Sequence, residues 1–326
     1  MSNKHDPGRG AGWRWPSCIV ACLAAAVGGG AHAADLVIAM PNWPSGQATA
    51  NILRVAIQSE FGLTAEVREI GALGAFSGLD NGSIAIHPEV WRPNYDDLVR
   101  RFVTEGKSVA LTAHAVAAWQ GLCATEEATR AGIRSVADLS DPAKAAALDT
   151  DGDGKGEIWI GAGAWLSTGI ERVRANSYGY VKNVTLVEAE EDVAMAAVDA
   201  AVATGQPMVF YCYSPHHLFK LHKIARLDEP AYDATKWKIV DPTDPLWVSK
   251  SSAPVAWDAA RFQIAYSGAF GKSHPEIAQF LEKVDFTEAE ISDMSYALQV
   301  ERQKPAEFAT KWVADRKARV DGWAAK

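Results

Sequence analysis

The stretch from Ile84 to Asn94 constrains this chain more than any other. A short apolar run, Ile84-Ala85-Ile86, reads as a strand ending and opens into His87-Pro88-Glu89-Val90-Trp91-Arg92-Pro93-Asn94. Pro88 and Pro93 stiffen the backbone on either side. Glu89 and Trp91 lie two residues apart and point the same way if the segment is still extended. A rigid loop at a strand end that offers one carboxylate beside one large π-face suits a small organic cation. The ring quadrupole attracts the charge, and the carboxylate adds a counter-charge or a hydrogen-bond acceptor.

The surrounding pattern alternates strand and helix. Residues 36–40 form a short apolar run that reads as a buried first strand, broken by Pro41-Asn42-Trp43-Pro44-Ser45-Gly46. A helix over 47–58 follows, so Trp43 sits between a strand and a helix. In open parallel sheets ligands bind outside the carboxyl ends of strands, which makes Trp43 a second aromatic at the same site. A strand over 64–70, a glycine-rich connection over 71–82 and a helix over 95–105 closed by Gly106 complete an α/β pattern with a mainly parallel sheet.

Residues 109–123 are small, apolar and extended, and carry His114, Trp119 and Cys123. They read as a crossing from one lobe to another. Beyond them helix and strand pieces start again: a strand at 158–160, a glycine-rich turn Gly161–Gly169 holding Trp165, a strand at 184–187 and a helix over 190–202. Ser167 or Thr168 is placed to cap the helix that leaves the turn. The aromatic strand 207–213, ending at Tyr213, reads as the return crossing. The expected division is 1–33 as a signal peptide, 34–120 as the first part of lobe 1, 121–211 as lobe 2, and 212–326 as the rest of lobe 1. Strand candidates at 237–240 and 261–266 and C-terminal amphipathic helices belong to that last part.

A chain of 326 residues is long enough for two lobes with their own cores. Its formal net charge of -8, without basic runs, argues against nucleic-acid binding. The first 33 residues have the form of an export signal, with Arg9 and Arg14, an apolar run from Ile19 to Val27, and Ala31-His32-Ala33 as the cleavage site. A lipoprotein box ending at Cys22 ranks second. Cleavage removes Cys18 and Cys22 and leaves Cys123 and Cys212, either as one disulfide or as two buried thiols. If the two crossings lie side by side, these cysteines are neighbours. Of the 12 Trp, only Trp13 and Trp15 fall in the signal, so the mature chain is rich in indole.

Asp149-Thr150-Asp151-Gly152-Asp153-Gly154-Lys155-Gly156-Glu157 matches the start of a calcium loop. Asp149, Asp151 and Asp153 stand at positions 1, 3 and 5. A Gly follows at 6, the carbonyl of Lys155 at 7 and the carboxylate of Glu157 at 9. Position 12, where a bidentate Glu belongs, is Ile160. The expected cofactor is a structural Ca2+ with another ligand completing the shell. His216, His217 and His222 have no two-on-one-face metal spacing. Gly161-Ala162-Gly163 lacks the third glycine of a dinucleotide fingerprint.

Taken together, Pro-Asn-Trp-Pro-Ser, Ile-His-Pro-Glu-Val-Trp-Arg-Pro-Asn, Trp-Gln-Gly-Leu and Tyr-Ser-Pro-His-His resemble the substrate-binding proteins of ABC importers for glycine betaine, choline and related methylated amines. The resemblance runs from about Asp35 to Trp323. It implies a two-lobed, type II-like periplasmic binding protein fold with two hinge crossings. It further implies a periplasmic, non-enzymatic monomer that delivers its ligand to a membrane permease. Family members hold a trimethylammonium head in an aromatic box, onto which Trp43, Trp91, Trp119 and Tyr213 map, with Trp165 as a further wall. Glu89, if it faces the box, disfavours a betaine carboxylate and favours choline or trimethylamine N-oxide. Arg92 is the sole Arg in these loops. If Glu89 faces away, the helix start at 163–168 is left to hold a carboxylate. Two readings from other classes stand beside this one: an exported enzyme using Glu89 as acid or base, and a sensor module for a membrane receptor.

Overall fold

One long strand, β5 (Val116–Ala124), joins two sets of strands in the computed structural model. The structure describes residues 34–242 and 244–325, so the expected export signal and the Cys22 box lie outside it. Among the described residues the strands form a sheet in the order β2-β1-β3-β10-β5-β8-β6-β7, with β4 on β10 and β9 on β5. On the first side lie β1 (Leu36–Met40), β2 (Ala65–Glu69), β3 (Ile86–Arg92), β4 (Val109–Leu111) and β10 (Ala260–Ser267). On the second lie β6 (Gly156–Trp159), β7 (Val184–Val187), β8 (Val209–Ser214) and β9 (Ala225–Arg226). Each side has a parallel kernel, β2-β1-β3 and β8-β6-β7, as the strand–helix alternation requires.

The crossing expected over 109–123 is realised mainly by β5. Its residues Val116–Ala118 pair with β10 of the first lobe, and Trp119–Ala124 pair with β8 of the second. Because β8 runs antiparallel beside it, the two crossings are adjacent, and Cys123 is bonded to Cys212 with their Cα atoms 5.8 Å apart.

Three helices position the site: α1 (Pro44–Phe61), α2 (Leu166–Tyr178) and α3 (Glu191–Thr204). Pro44 at the first position of α1 supplies a preset φ where no backbone N–H is needed. Ile52, Leu53 and Ile57 bury that helix against Ile38 and Ile86 of the sheet.

Three expectations change. The segment 86–92 is itself a strand, not a loop after one, because β10 pairs with it antiparallel along its length. The return to lobe 1 also comes later than residue 212. Past His217, which still reaches Ser295 of the C-terminal helices, the chain joins the second lobe: Leu227 bonds to the carbonyl of Leu122, and Asp228 bridges Ser135. The cause is a buried ionic knot on α2. Arg174 binds Glu229 at 2.5 Å and the carbonyl of Val255 at 2.6 Å, while Trp257 donates to Glu171 at 2.6 Å. Both Arg174 and Glu171 are almost fully buried, so each holds a partner from this excursion. Residues 237–240, expected as a strand, make a single bridge, Lys238 to Ser252. The chain rejoins the first sheet at β10.

Candidate ligand-binding site

Two aromatic walls come from the first lobe. Trp43 is the residue immediately before α1, held extended by the proline that follows. Trp91 lies on β3, stacked at 4.8 Å on Phe262 of β10. Three come from the second lobe. Trp165 ends the glycine-rich turn, and Tyr211 and Tyr213 project from the same face of β8 because successive strand residues alternate. The rings meet edge to face: Trp165 lies 6.2 Å from Trp43, 6.1 Å from Tyr213 and 6.4 Å from Tyr211, and Trp91 lies 5.4 Å from Tyr213. With Asn94, Tyr95, Leu166 and Ser167 they line a cavity of about 40 Å³. That exceeds the ~10–15 Å³ one water needs.

The turn before α2 needs its glycines. Gly161 has φ of +120°, and a Cβ there would lie 2.3 Å from Thr168 Oγ1. That hydroxyl donates to the carbonyl of Ala162 at 2.6 Å and does not cap the helix. Trp165 precedes α2 with no side-chain cap, so Leu166 and Ser167 present an uncapped helix start to the cavity. Such a start attracts a ligand oxygen.

Glu89 does not line the cavity. It is fully buried behind the first-lobe walls, where its Oε2 accepts from the indole N–H of Trp43 at 2.6 Å and of Trp91 at 3.2 Å. Ser45 and Thr49 each donate to it at 3.1 Å. Burial pushes its pKa up, and the four donors oppose that shift. An indole can only donate, so this carboxylate fixes both rings by their edges. Both oxygens are thus held by donors of the first lobe, Oε2 by Trp43, Trp91 and Ser45 and Oε1 by Thr49. Arg92 is likewise occupied, by Asp96.

Trp119 is not brought to the cage. It lies on the opposite face of β5 from its neighbour Gln120. The guanidinium of Arg226 sits 4.1 Å over its ring. Gln120 instead faces the site, accepting from Tyr211 Oη at 2.7 Å and exchanging two hydrogen bonds with Asn94. Tyr211 is a wall that the sequence pattern does not single out. Its position two residues before Tyr213 on one strand was the available signal.

One pair of hydrogen bonds spans the cleft beside the walls. Asn42, in the loop after β1, donates to Glu190 of the second lobe at 2.9 Å and accepts from the indole N–H of Trp165 at 2.7 Å.

Away from the cage, Asp149, Asp151, Asp153 and Glu157 each offer an oxygen within 4.8 Å of the others. The loop is pre-curled by its own backbone. Asp149 accepts from the N–H groups of Gly152 at 2.7 Å and Gly154 at 2.8 Å, and these bonds lower its pKa. Glu157 Oε2 is held by Thr150, and its Oε1 is buried with no hydrogen-bond partner among the described residues.

The model for the substrate-binding domain of ABC-type glycine betaine transport systems matches residues 34–315. Among solved structures, an ABC-transporter choline-binding protein in complex with choline superposes with a TM-score of 0.69 at 18% identity, covering 88% of this chain and 90% of that one. Lactococcal OpuAC, closed on glycine betaine, gives 0.65 at 21% identity over 89% and 99%. The glycine betaine/L-proline-binding protein of Borrelia burgdorferi gives 0.67 at 18% over 89% and 97%. At these identities the superpositions establish a shared two-lobed fold, while the family match extends over nearly the whole described chain. This chain belongs to the family of substrate-binding domains of ABC-type glycine betaine transport systems, the components that capture substrate for an importer.

Proposed function

We propose that this protein captures a small methylated ammonium compound, choline, trimethylamine N-oxide or glycine betaine, in the cage between its lobes and delivers it to a membrane permease. The observation that carries this reading is the ring arrangement. Trp43 and Trp91 from one lobe and Trp165, Tyr211 and Tyr213 from the other surround one small cavity. A methylated ammonium group cannot donate conventional hydrogen bonds. Water solvates it weakly, and π-faces receive it at up to ~2 kcal/mol each once desolvated. The ligand's oxygen then meets the N–H groups at the start of α2. Asn42, bonded to Trp165 and Glu190, holds the lobes together over the ligand. An exported, periplasmic location fits this role, and no helix among the described residues is long and apolar enough to cross a membrane.

Calorimetric titration with the three compounds tests the assignment. At least one binds the wild type. Trp91→Ala, which removes a wall and one indole donor to Glu89, abolishes that binding while far-ultraviolet circular dichroism stays unchanged. Normal binding by a folded Trp91→Ala protein would sink the cage assignment.

We also propose that the loop from Asp149 to Glu157 binds calcium in a structural role. The four convergent carboxylates and the Oε1 of Glu157, unpartnered among the described residues, support it. The Lys155 carbonyl is the expected further ligand.

A further inference from the structure

The second-lobe wall Tyr213 is backed by a buried carboxylate that the cage itself does not include. Glu191 is 2% exposed and lies in the first turn of α3. Its Oε1 accepts from Tyr213 Oη at 2.5 Å and pairs with His216 Nε2 at 2.9 Å. The N–H of Leu218 points to His216 Nδ1 at 3.2 Å, which makes Nδ1 the acceptor and Nε2 the donor. The ring of His216 packs 4.8 Å from that of Tyr213 and 4.1 Å from that of His217, whose Nδ1 meets Ser295 at 2.7 Å. Among the described residues Glu191 Oε2 is buried without a hydrogen-bond partner.

We propose that Glu191 is a specificity-determining residue that biases the cage toward ligands with a net positive charge over zwitterions. This rests on the cage holding a methylated ammonium head, as above. The placement supplies the reason in two ways. A phenol that donates to a carboxylate carries more electron density on its ring, so Tyr213 becomes a stronger partner for a cation. The Glu191 carboxylate stands in the first turn of α3, at the positive end of the helix dipole. That charge, excluded from water, acts across the ring on whatever occupies the cavity. Choline presents a monopole to it. Glycine betaine presents an ammonium and a carboxylate that largely cancel at that distance. Burial pushes the Tyr213 phenol well above its ordinary pKa, and the neighbouring carboxylates of Glu191 and Glu89 push it the same way. Glu89 on the other lobe ties down two indoles, which makes it the poorer residue on which to isolate a charge effect.

The test is the ratio of two affinities. Glu191→Gln keeps the shape and an acceptor for Tyr213 while removing the charge. Calorimetry on the wild type first measures choline, glycine betaine and trimethylamine N-oxide; silence from all three would remove the cage reading, whereas binding of the N-oxide alone would keep the cage and overturn this proposal. For the variant the expected result is a loss of about tenfold in choline affinity with glycine betaine changed less than about twofold. Tyr213→Phe keeps the ring and breaks its bond to Glu191. It moves the same ratio in the same direction by about threefold, and it decides the matter if Glu191→Gln does not fold. Equal losses for both ligands would make Glu191 a purely structural support and overturn the proposal. An unmoved ratio in the folded variants would overturn it as well.

Discussion

His87 shares β3 with the wall residue Trp91 but points its ring into the first-lobe core, between Phe76 and Tyr95. It is 1% exposed, and its Nδ1 accepts from the N–H of Glu89 at 3.2 Å. Burial therefore lowers its pKa to about 4 from an ordinary 6.5. The unfolded chain takes up this proton more readily than the folded one. Stability is present in full above pH 6.5 and is lost as pH falls toward 4, by about 3 kcal/mol for a shift of this size. Urea denaturation at pH 7 and at pH 4.5 measures it, with His87→Gln expected to lose less over the same interval. An identical acid response in the variant would assign the loss to other groups. At this scale the sequence was legible wherever the strand parity was known. Glu89 and Trp91 share a face as their spacing required, yet the carboxylate turned to the indole edges, which a residue pattern cannot specify. Trp119 failed for the same reason in reverse. One step along β5, Gln120 has the parity that faces the cage, and no residue pattern fixes which of two neighbours points inward.

Elements were more legible than their ends. The strand–helix alternation located β1, β7, β8 and β10 to within about two residues, since short apolar runs between polar segments have few other solutions. It misjudged β3 because a proline-bracketed stretch resembles a loop until a partner strand is found to satisfy its backbone. The excursion over 215–259 was illegible because what holds it to α2 is a set of long-range bonds to Arg174 and Glu171. The loop before β6 is the opposite case. Its chemistry is local, and alternate aspartates on a curled backbone converge without help from the rest of the fold. If calcium fills it, saturating metal stabilises the protein by about 2.7 kcal/mol at a hundredfold excess over Kd. For a chain of this size that is a rise in Tm on the order of 5 °C. Differential scanning fluorimetry with calcium and then with a chelator checks it, and the paired substitution Asp151→Asn and Asp153→Asn should flatten the response. A melting temperature indifferent to both calcium and chelator would leave the loop an acidic turn.

For the whole molecule the decisive feature is that the lobes meet at adjacent antiparallel strands, β5 and β8, and that Cys123 and Cys212 bond there. The bond spans 89 residues of sequence, and that span holds β6, β7, α2 and α3. Closing a loop of that length restricts the unfolded chain by about 4 to 5 kcal/mol in the chain-entropy account. The restricted segment is second-lobe sequence almost alone, whereas β1, β2, β3 and α1 lie outside the closed loop. Removing the bond with Cys123→Ala and Cys212→Ala should therefore lower the stability of the second lobe first. Native-state hydrogen exchange resolves this: protection at β6, β7 and β8 falls by orders of magnitude while β1 to β3 keep theirs. Trp43 and Trp91 would stay in place, and ligand affinity would drop only as far as Trp165, Tyr211 and Tyr213 spend time out of register with them. Equal loss of protection on both sides of β5 would mean instead that the shared strand makes the two lobes one cooperative unit, with the disulfide stabilising both alike.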